Sequence, residues 1–186
     1  DAPIWPAGSL SLKARIVGAT LRDLTYLAAN MRPQDRHEIE CQLERWNVDL
    51  IALSALQGPA YVVELDGNPE AAFGATQQRV GLWQAWSWGS KRMHRCVPAI
   101  TRFFYAVLGP HVAAQGAWRV EARPIAGNEL ACRWLARLGA QERCLLPGYG
   151  KDGEDFLLYD WTRESWANVF RKTARTEAAA AHADDR

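Results

Sequence analysis

The sequence predicts an α+β domain: a mixed, mostly antiparallel sheet with helices on both faces. Three observations predict it. Short β-branched and alternating segments are bounded by Gly, Pro, Asn and Asp turn residues, which is strand punctuation. Other segments space their apolar residues at three and four, which is helix spacing. One of those helices falls between the fourth and fifth strands, and a connection of that length makes the pair parallel.

The elements follow in order. DAPIWPAGSL carries two prolines and a glycine and reads as an irregular arm over residues 1–10. Leu12 to Val17 alternates and is the first strand. Thr20 then caps a helix, with Asp23 three positions on in capping-box spacing. Its apolar face is Leu21, Leu24, Leu27, Ala28 and Met31. Pro33 interrupts it and opens a second helix from Gln34, where proline suits the first turn. Ile39, Leu43 and Trp46 give that helix its inner stripe.

Tyr61 to Leu65 is a strand, Asp66-Gly67-Asn68-Pro69 is turn chemistry, and Ala71 to Ala75 returns as a hairpin. Val80 to Trp86 is the fourth strand, followed by the polar loop Gly89-Ser90-Lys91-Arg92. Pro98 to Leu108 has helical spacing, and Gly109-Pro110 is its stop signal. Trp118 to Arg123 alternates at period two. Asn128 opens a helix with Leu130, Ala131, Trp134, Leu135 and Leu138 inward and Gly139 as its stop. Arg143 to Leu146, the glycine-rich PGYGKDGED and Phe156 to Trp161 make the last hairpin. The domain thus spans residues 11–161. Residues 162–186 read as a terminal helix fading into an alanine-rich tail.

Composition bounds the function. At 186 residues a folded chain buries about 70% of the surface its open form exposes, enough for one core without staples. Lys plus Arg is 22 and Asp plus Glu is 21, a formal charge of +1. That balance gives no nucleic-acid signature, since such binding needs uncompensated cations. No run of about 18 apolar residues exists, so no membrane span is expected. No basic-then-apolar signal segment opens the chain. Cys41, Cys96, Cys132 and Cys144 form no C-x-x-C pair, and no His stands at zinc-finger spacing, so single thiols and no metal are expected. PGYGKDGED lacks the ligand spacing of a calcium loop and reads as a long hairpin turn. There is no nucleophile elbow, P-loop, HExxH or GxGxxG.

The segment Asn128-Glu-Leu-Ala131-Cys-Arg-Trp-Leu135-Ala-Arg-Leu-Gly139-Ala140, together with the order of elements, resembles the GNAT (GCN5-related N-acetyltransferase) superfamily. The likeness is to that family's N-x-x-A-x-x-L-Y-x-x-L-G-F helix. MRPQDRHEIE, RWLARLGA and GYGKDGEDFLLY further resemble a phage-borne subgroup described as internal virion or head-associated proteins of T7-like podophages. The resemblance covers roughly residues 12–161. It implies a splay between the parallel fourth and fifth strands. It implies two readings of function. In one, the fold is a phage virion or assembly scaffold with weak or absent catalysis, located in the virion or host cytoplasm. In the other, the chain is an N-acetyltransferase whose cofactor is acetyl-CoA.

The residues divide between these readings. In the family a glycine-rich loop after the fourth strand offers amides to the cofactor diphosphate, because only glycine allows so close an approach. Here that loop holds one glycine, Gly89. Under the enzyme reading Gly89, Ser90, Lys91 and Arg92 take the diphosphate, with charge replacing lost amides. The backbone of Leu82, Trp83 and Gln84 pairs with the pantetheine arm, and Asn128 braces that side, as the resemblance implies. Under the scaffold reading the loop is a solvated basic turn and no cofactor is expected. A nucleotide or phosphopeptide on the same turn is a third reading. The family's proton-donating Tyr is Leu135 here, which cannot serve. Candidate bases are Glu64 and His94, each of which also reads plainly as a surface residue. Trp83, Trp86 and Trp88 line a slot or fill the core. Trp166 and Phe170, one helical turn apart, are a stripe for virion partners or for docking on this domain.

Overall fold

The structure, a computed structural model, describes residues 14–166. Seven strands form one sheet in the order β1-β2-β3-β4-β5-β7-β6. They are β1 (Ala14–Gly18), β2 (Ala60–Leu65), β3 (Asn68–Arg79), β4 (Leu82–Gly89), β5 (Arg119–Ala122), β6 (Gln141–Leu146) and β7 (Phe156–Thr162). Among the described residues only β4 and β5 pair in parallel; every other ladder is antiparallel. The predicted α+β class and the parallel crossover are both present.

The helices are α1 (Leu21–Ala29), α2 (Pro33–Glu40), α3 (Val48–Ala55), α4 (Met93–Phe103), α5 (Gly109–Ala114) and α6 (Glu129–Arg137). Two apolar layers sandwich the sheet. One face, carrying Val63, Phe73 and Trp83, packs on Cys96, Ile100, Phe104 and Leu135 of the α4–α6 side. The other, carrying Val62, Ala72 and Trp88, packs on Leu24, Leu27 and Ile51 of α1 and α3. Period-two alternation along each strand produces this division. Among the described residues no helix is long and apolar enough to cross a membrane.

Local signals placed most boundaries. Thr20 and Asp23 form the full capping box at α1. The β2–β3 turn puts Asp66 at φ 54° and Gly67 at φ 82°, the left-handed pair of a tight hairpin.

Several expectations differ from the structure. The second helix stops at Glu40; Leu43 and Trp46 lie beyond it and still pack, half-buried, on the α1–α3 layer. Asn47 then caps a further helix, α3, through bonds from the amides of Asp49 and Leu50. The stripe at three-and-four spacing continues across a turn and conceals the break. Pro98 does not begin its helix but lies inside α4. Gly109-Pro110 does not end it. Phe104–Leu108 widens into a π-helical segment and α5 follows, with Gly109 helical at φ −61° and Pro110 in the first turn, where no N–H is needed. Val80 is in the β3–β4 turn and solvent-exposed, not on β4. The arm over residues 1–10 and the tail beyond 166 lie outside the described residues; 163–166 are helical.

Candidate functional site

The β4–β5 ladder holds for three residue pairs only, Leu82–Arg119, Trp83–Val120 and Gln84–Glu121. Past Gln84 the strands part. β5 ends at Ala122, and its continuation is bonded elsewhere. The Pro124 carbonyl accepts from Leu157 N at 2.9 Å, and Ile125 N donates to Glu38 Oε2 at 3.0 Å. The β4 edge from Ala85 to Trp88 therefore has no strand partner on the β5 side and borders an opening.

That opening is a cleft of about 470 Å³ running through the splay. Small side chains, Ala85 and Ser87, line it from β4. Trp86 and Trp88 line the α1–α3 side, stacked on each other with centroids 4.5 Å apart. Trp86 donates to Thr76 Oγ1 at 3.1 Å. Trp88 Nε1 is buried with no acceptor among the described residues. Trp83 lies in the core and not in the lining. The tryptophans flank the notch and leave it open.

Glu38 of α2 is the one carboxylate in the lining among the described residues. Oε2 accepts from Ile125 N and, at 3.1 Å, from Asn128 Nδ2. Oε1 takes no hydrogen bond from the described residues. Burial raises this carboxyl above its ordinary range, against those two bonds. Asn128 also caps α6, accepting from Ala131 N at 3.3 Å, so it fixes the helix and the acid together. Leu135 is buried in the wall, and among the described residues no tyrosine lines the cleft.

The loop after β4 is folded on itself. Gly89 N donates to Asp35 Oδ2 at 3.0 Å, and Ser90 N to the Glu70 carbonyl at 2.8 Å. Arg92 N and Met93 N both turn back to Ser90. The Ser90 hydroxyl donates to Glu70, and Arg92 pairs with Glu70 at 2.8 Å and Asp66 at 3.4 Å. Lys91 is exposed and makes no ion pair among the described residues.

The expected site residues are thus scattered. Leu82, Trp83 and Gln84 are paired with β5, so the free edge starts at Ala85, three residues after Leu82; Gln84 still borders the cleft. The amides of Gly89 and Ser90 already have acceptors. Glu64 pairs with Arg15 at 2.8 Å and lies outside the cleft lining. His94 rests against the Lys91 carbonyl at 3.2 Å, exposed and outside the lining. Trp166 is buried, stacked on Trp161 at 5.6 Å, and belongs to the core; Phe170 lies outside the described residues. Glu38 was not singled out, because its partners are 87 and 90 positions away.

A pantetheine thioester fits the cleft side of this site: space, an unpaired strand edge, small side chains and an orphaned indole donor are all present. For the diphosphate, Lys91 and Arg95 are exposed and in no ion pair among the described residues, with Arg92 between them.

No family model and no curated protein matches the sequence. Solved structures do. An N-acetyltransferase from Staphylococcus aureus Mu50 matches with TM-score 0.63 and 16% identity, over 81% of this chain and 99% of that one. Mycobacterium smegmatis RimJ, in complex with CoA-disulfide, matches with TM-score 0.60 and 21% identity, over 87% and 90%. Salmonella typhimurium yncA, with its cofactor acetyl-CoA, matches with TM-score 0.62 and 16% identity, over 81% and 94%. At such identities the likeness is one of architecture, and it agrees with the strand order and the splayed parallel pair: the chain carries the GNAT acetyltransferase fold.

Proposed function

We propose that the chain is an acetyl-CoA-dependent N-acetyltransferase. The open β4–β5 cleft carries this reading. Acetyl-CoA, when bound, supplies an activated acyl thioester. The free β4 edge from Ala85 orients the pantetheine amides as an added strand would. Lys91 attracts the diphosphate, and Arg92 is available to it on leaving Glu70. Ile39, Leu43, Trp86 and Trp88 exclude water from the acceptor side of the lining. Glu38 Oε1 takes the proton of the acceptor ammonium while Ile125 N and Asn128 hold Oε2 in place.

A second reading, a scaffold with weak or absent catalysis, draws on one observation, while the virion or assembly role attached to it rests on sequence resemblance alone. The loop amides that would cradle a diphosphate are already bonded to Asp35, Glu70 and Ser90.

Calorimetric titration with acetyl-CoA, CoA and ATP separates the two. The enzyme reading expects acetyl-CoA to bind and, at 100 times its Kd, to stabilise the fold by about 2.7 kcal/mol. Lys91→Ala is expected to weaken it about tenfold, the scale of one charge-assisted contact. If no CoA species binds and the protein copurifies with capsid or portal components, the scaffold reading holds instead.

A further inference from the structure

His37 and Cys41 are four residues apart at the C-terminal end of α2, so their side chains meet on one face. Cys41 Sγ is 3.7 Å from His37 Nδ1 and 3.8 Å from Nε2. Glu154, from the loop between β6 and β7, brings a carboxylate to the same point. One ligand atom from each of the three residues lies within 4.8 Å of the others. A tetrahedral zinc with its sulfur at 2.3 Å and nitrogen at 2.0–2.1 Å sets those two ligands about 3.5 Å apart. The spacing found is that spacing, with slight closure left to make.

The loop is built to hold the carboxylate there. Lys151 N donates to the Cys41 carbonyl at 2.8 Å, tying the loop to the end of α2. Gly150 N donates to the Glu154 carbonyl at 2.9 Å, and Gly153 N to the Gly150 carbonyl at 3.0 Å. Asp152 N donates to Glu154 Oε2 at 3.1 Å. A Cβ at position 150 would overlap that same oxygen, so glycine there is what lets Glu154 fold back. The PGYGKDGED stretch, which has no role in the cleft, thereby acquires one.

We propose that His37, Cys41 and Glu154 form a binding site for one divalent ion of the zinc class. A thiolate, an imidazole and a carboxylate together suit zinc; calcium and magnesium take oxygen ligands and would not select the sulfur. Cys41 is buried and His37 exposed, so the fourth position opens to water on the His37 side. On binding, the Sγ–H bond breaks, its proton goes to solvent buffer, and a metal–sulfur bond forms. One ring nitrogen of His37 and one oxygen of Glu154 donate lone pairs, and nothing is oxidised or reduced. The ion would cross-link α2 to the β6–β7 loop. This site stands apart from the acyl-transfer reading and does not depend on it.

Untagged full chain, stripped with chelator, is titrated with Co²⁺ and then with Zn²⁺. The expected result is one equivalent of Co²⁺ with thiolate-to-cobalt charge-transfer absorption in the near ultraviolet, displaced by one equivalent of Zn²⁺. Cys41→Ser should lose that absorption. His37→Ala and Glu154→Gln should each weaken binding by about tenfold or more. Zn²⁺ should raise the Tm of the parent chain and not of the variants. If Cys41→Ser fails to fold, the His37 and Glu154 variants decide the matter. Absence of the charge-transfer band at one equivalent, its persistence in Cys41→Ser, or unchanged affinity in both other variants would overturn the proposal.

Discussion

Glu38→Gln is expected to lower the rate of acetyl transfer about 10²- to 10⁴-fold, the usual contribution of a positioned general base. Among the described residues Glu38 is the only carboxylate lining the cleft, and no histidine joins it there. Glutamine keeps an oxygen to accept from Ile125 N and Asn128, so α2 and α6 stay in place. It cannot take a proton. The expected pattern is therefore a fall in turnover with acetyl-CoA affinity unchanged, which separates proton transfer from positioning. Release of CoA thiol in the presence of amine acceptors measures the rate, and calorimetry measures the affinity. A variant whose rate stays within a few-fold of the parent would remove Glu38 from the reaction.

Trp161→Ala is expected to destabilise the fold by about 3–5 kcal/mol. Trp161 is fully buried and lines the cleft floor. Its ring centroid is 5.4 Å from that of Phe104 and 5.6 Å from that of Trp166. Its Nε1 donates to the Leu138 carbonyl at 2.9 Å, where α6 ends. Truncation opens a cavity and leaves that carbonyl without its donor. Trp161→Phe keeps most of the packing and should cost much less, with about 1 kcal/mol of the difference owed to the bond. Denaturant unfolding of both variants measures the two contributions. A loss below about 1 kcal/mol for alanine, the size of an ordinary substitution, would mean the aromatic cluster does not anchor the cleft.

Much of the architecture was legible because its signals are local. The Thr20 capping box, the Asp66-Gly67 turn, the Asn128 cap and the Gly139 stop each depend on residues within a few positions. Where local signals compete, reading along the chain failed. Gly109-Pro110 has the composition of a stop, yet a π-helical segment carries the chain through it. Ile39, Leu43 and Trp46 keep helical spacing across a break and masked the cap at Asn47.

The site was less legible, for a related reason. The loop after β4 begins at Ser90, Gly89 being the last residue of that strand, and the amides of Gly89 and Ser90 are taken by Asp35 and Glu70, which lie 54 and 20 positions away. Glu38 looks, in sequence, like any acid of a polar helix. Only the chain's return at Ile125 and Asn128 buries it and shifts its titration. His37, Cys41 and Glu154 are alike in this respect: in sequence Cys41 reads as a single thiol, and Glu154 lies 113 positions beyond it in a stretch read as a turn.

The account depends most on the β4–β5 cleft receiving an acyl-CoA. Isothermal titration of acetyl-CoA into the parent chain and into Ala85→Trp tests this directly, since a ring at position 85 would fill the space where β4 leaves β5. The predicted result is one saturable site in the parent and no measurable heat in the variant, with both chains showing the same circular dichroism. A silent parent, or a variant that binds as tightly as the parent, would contradict the account.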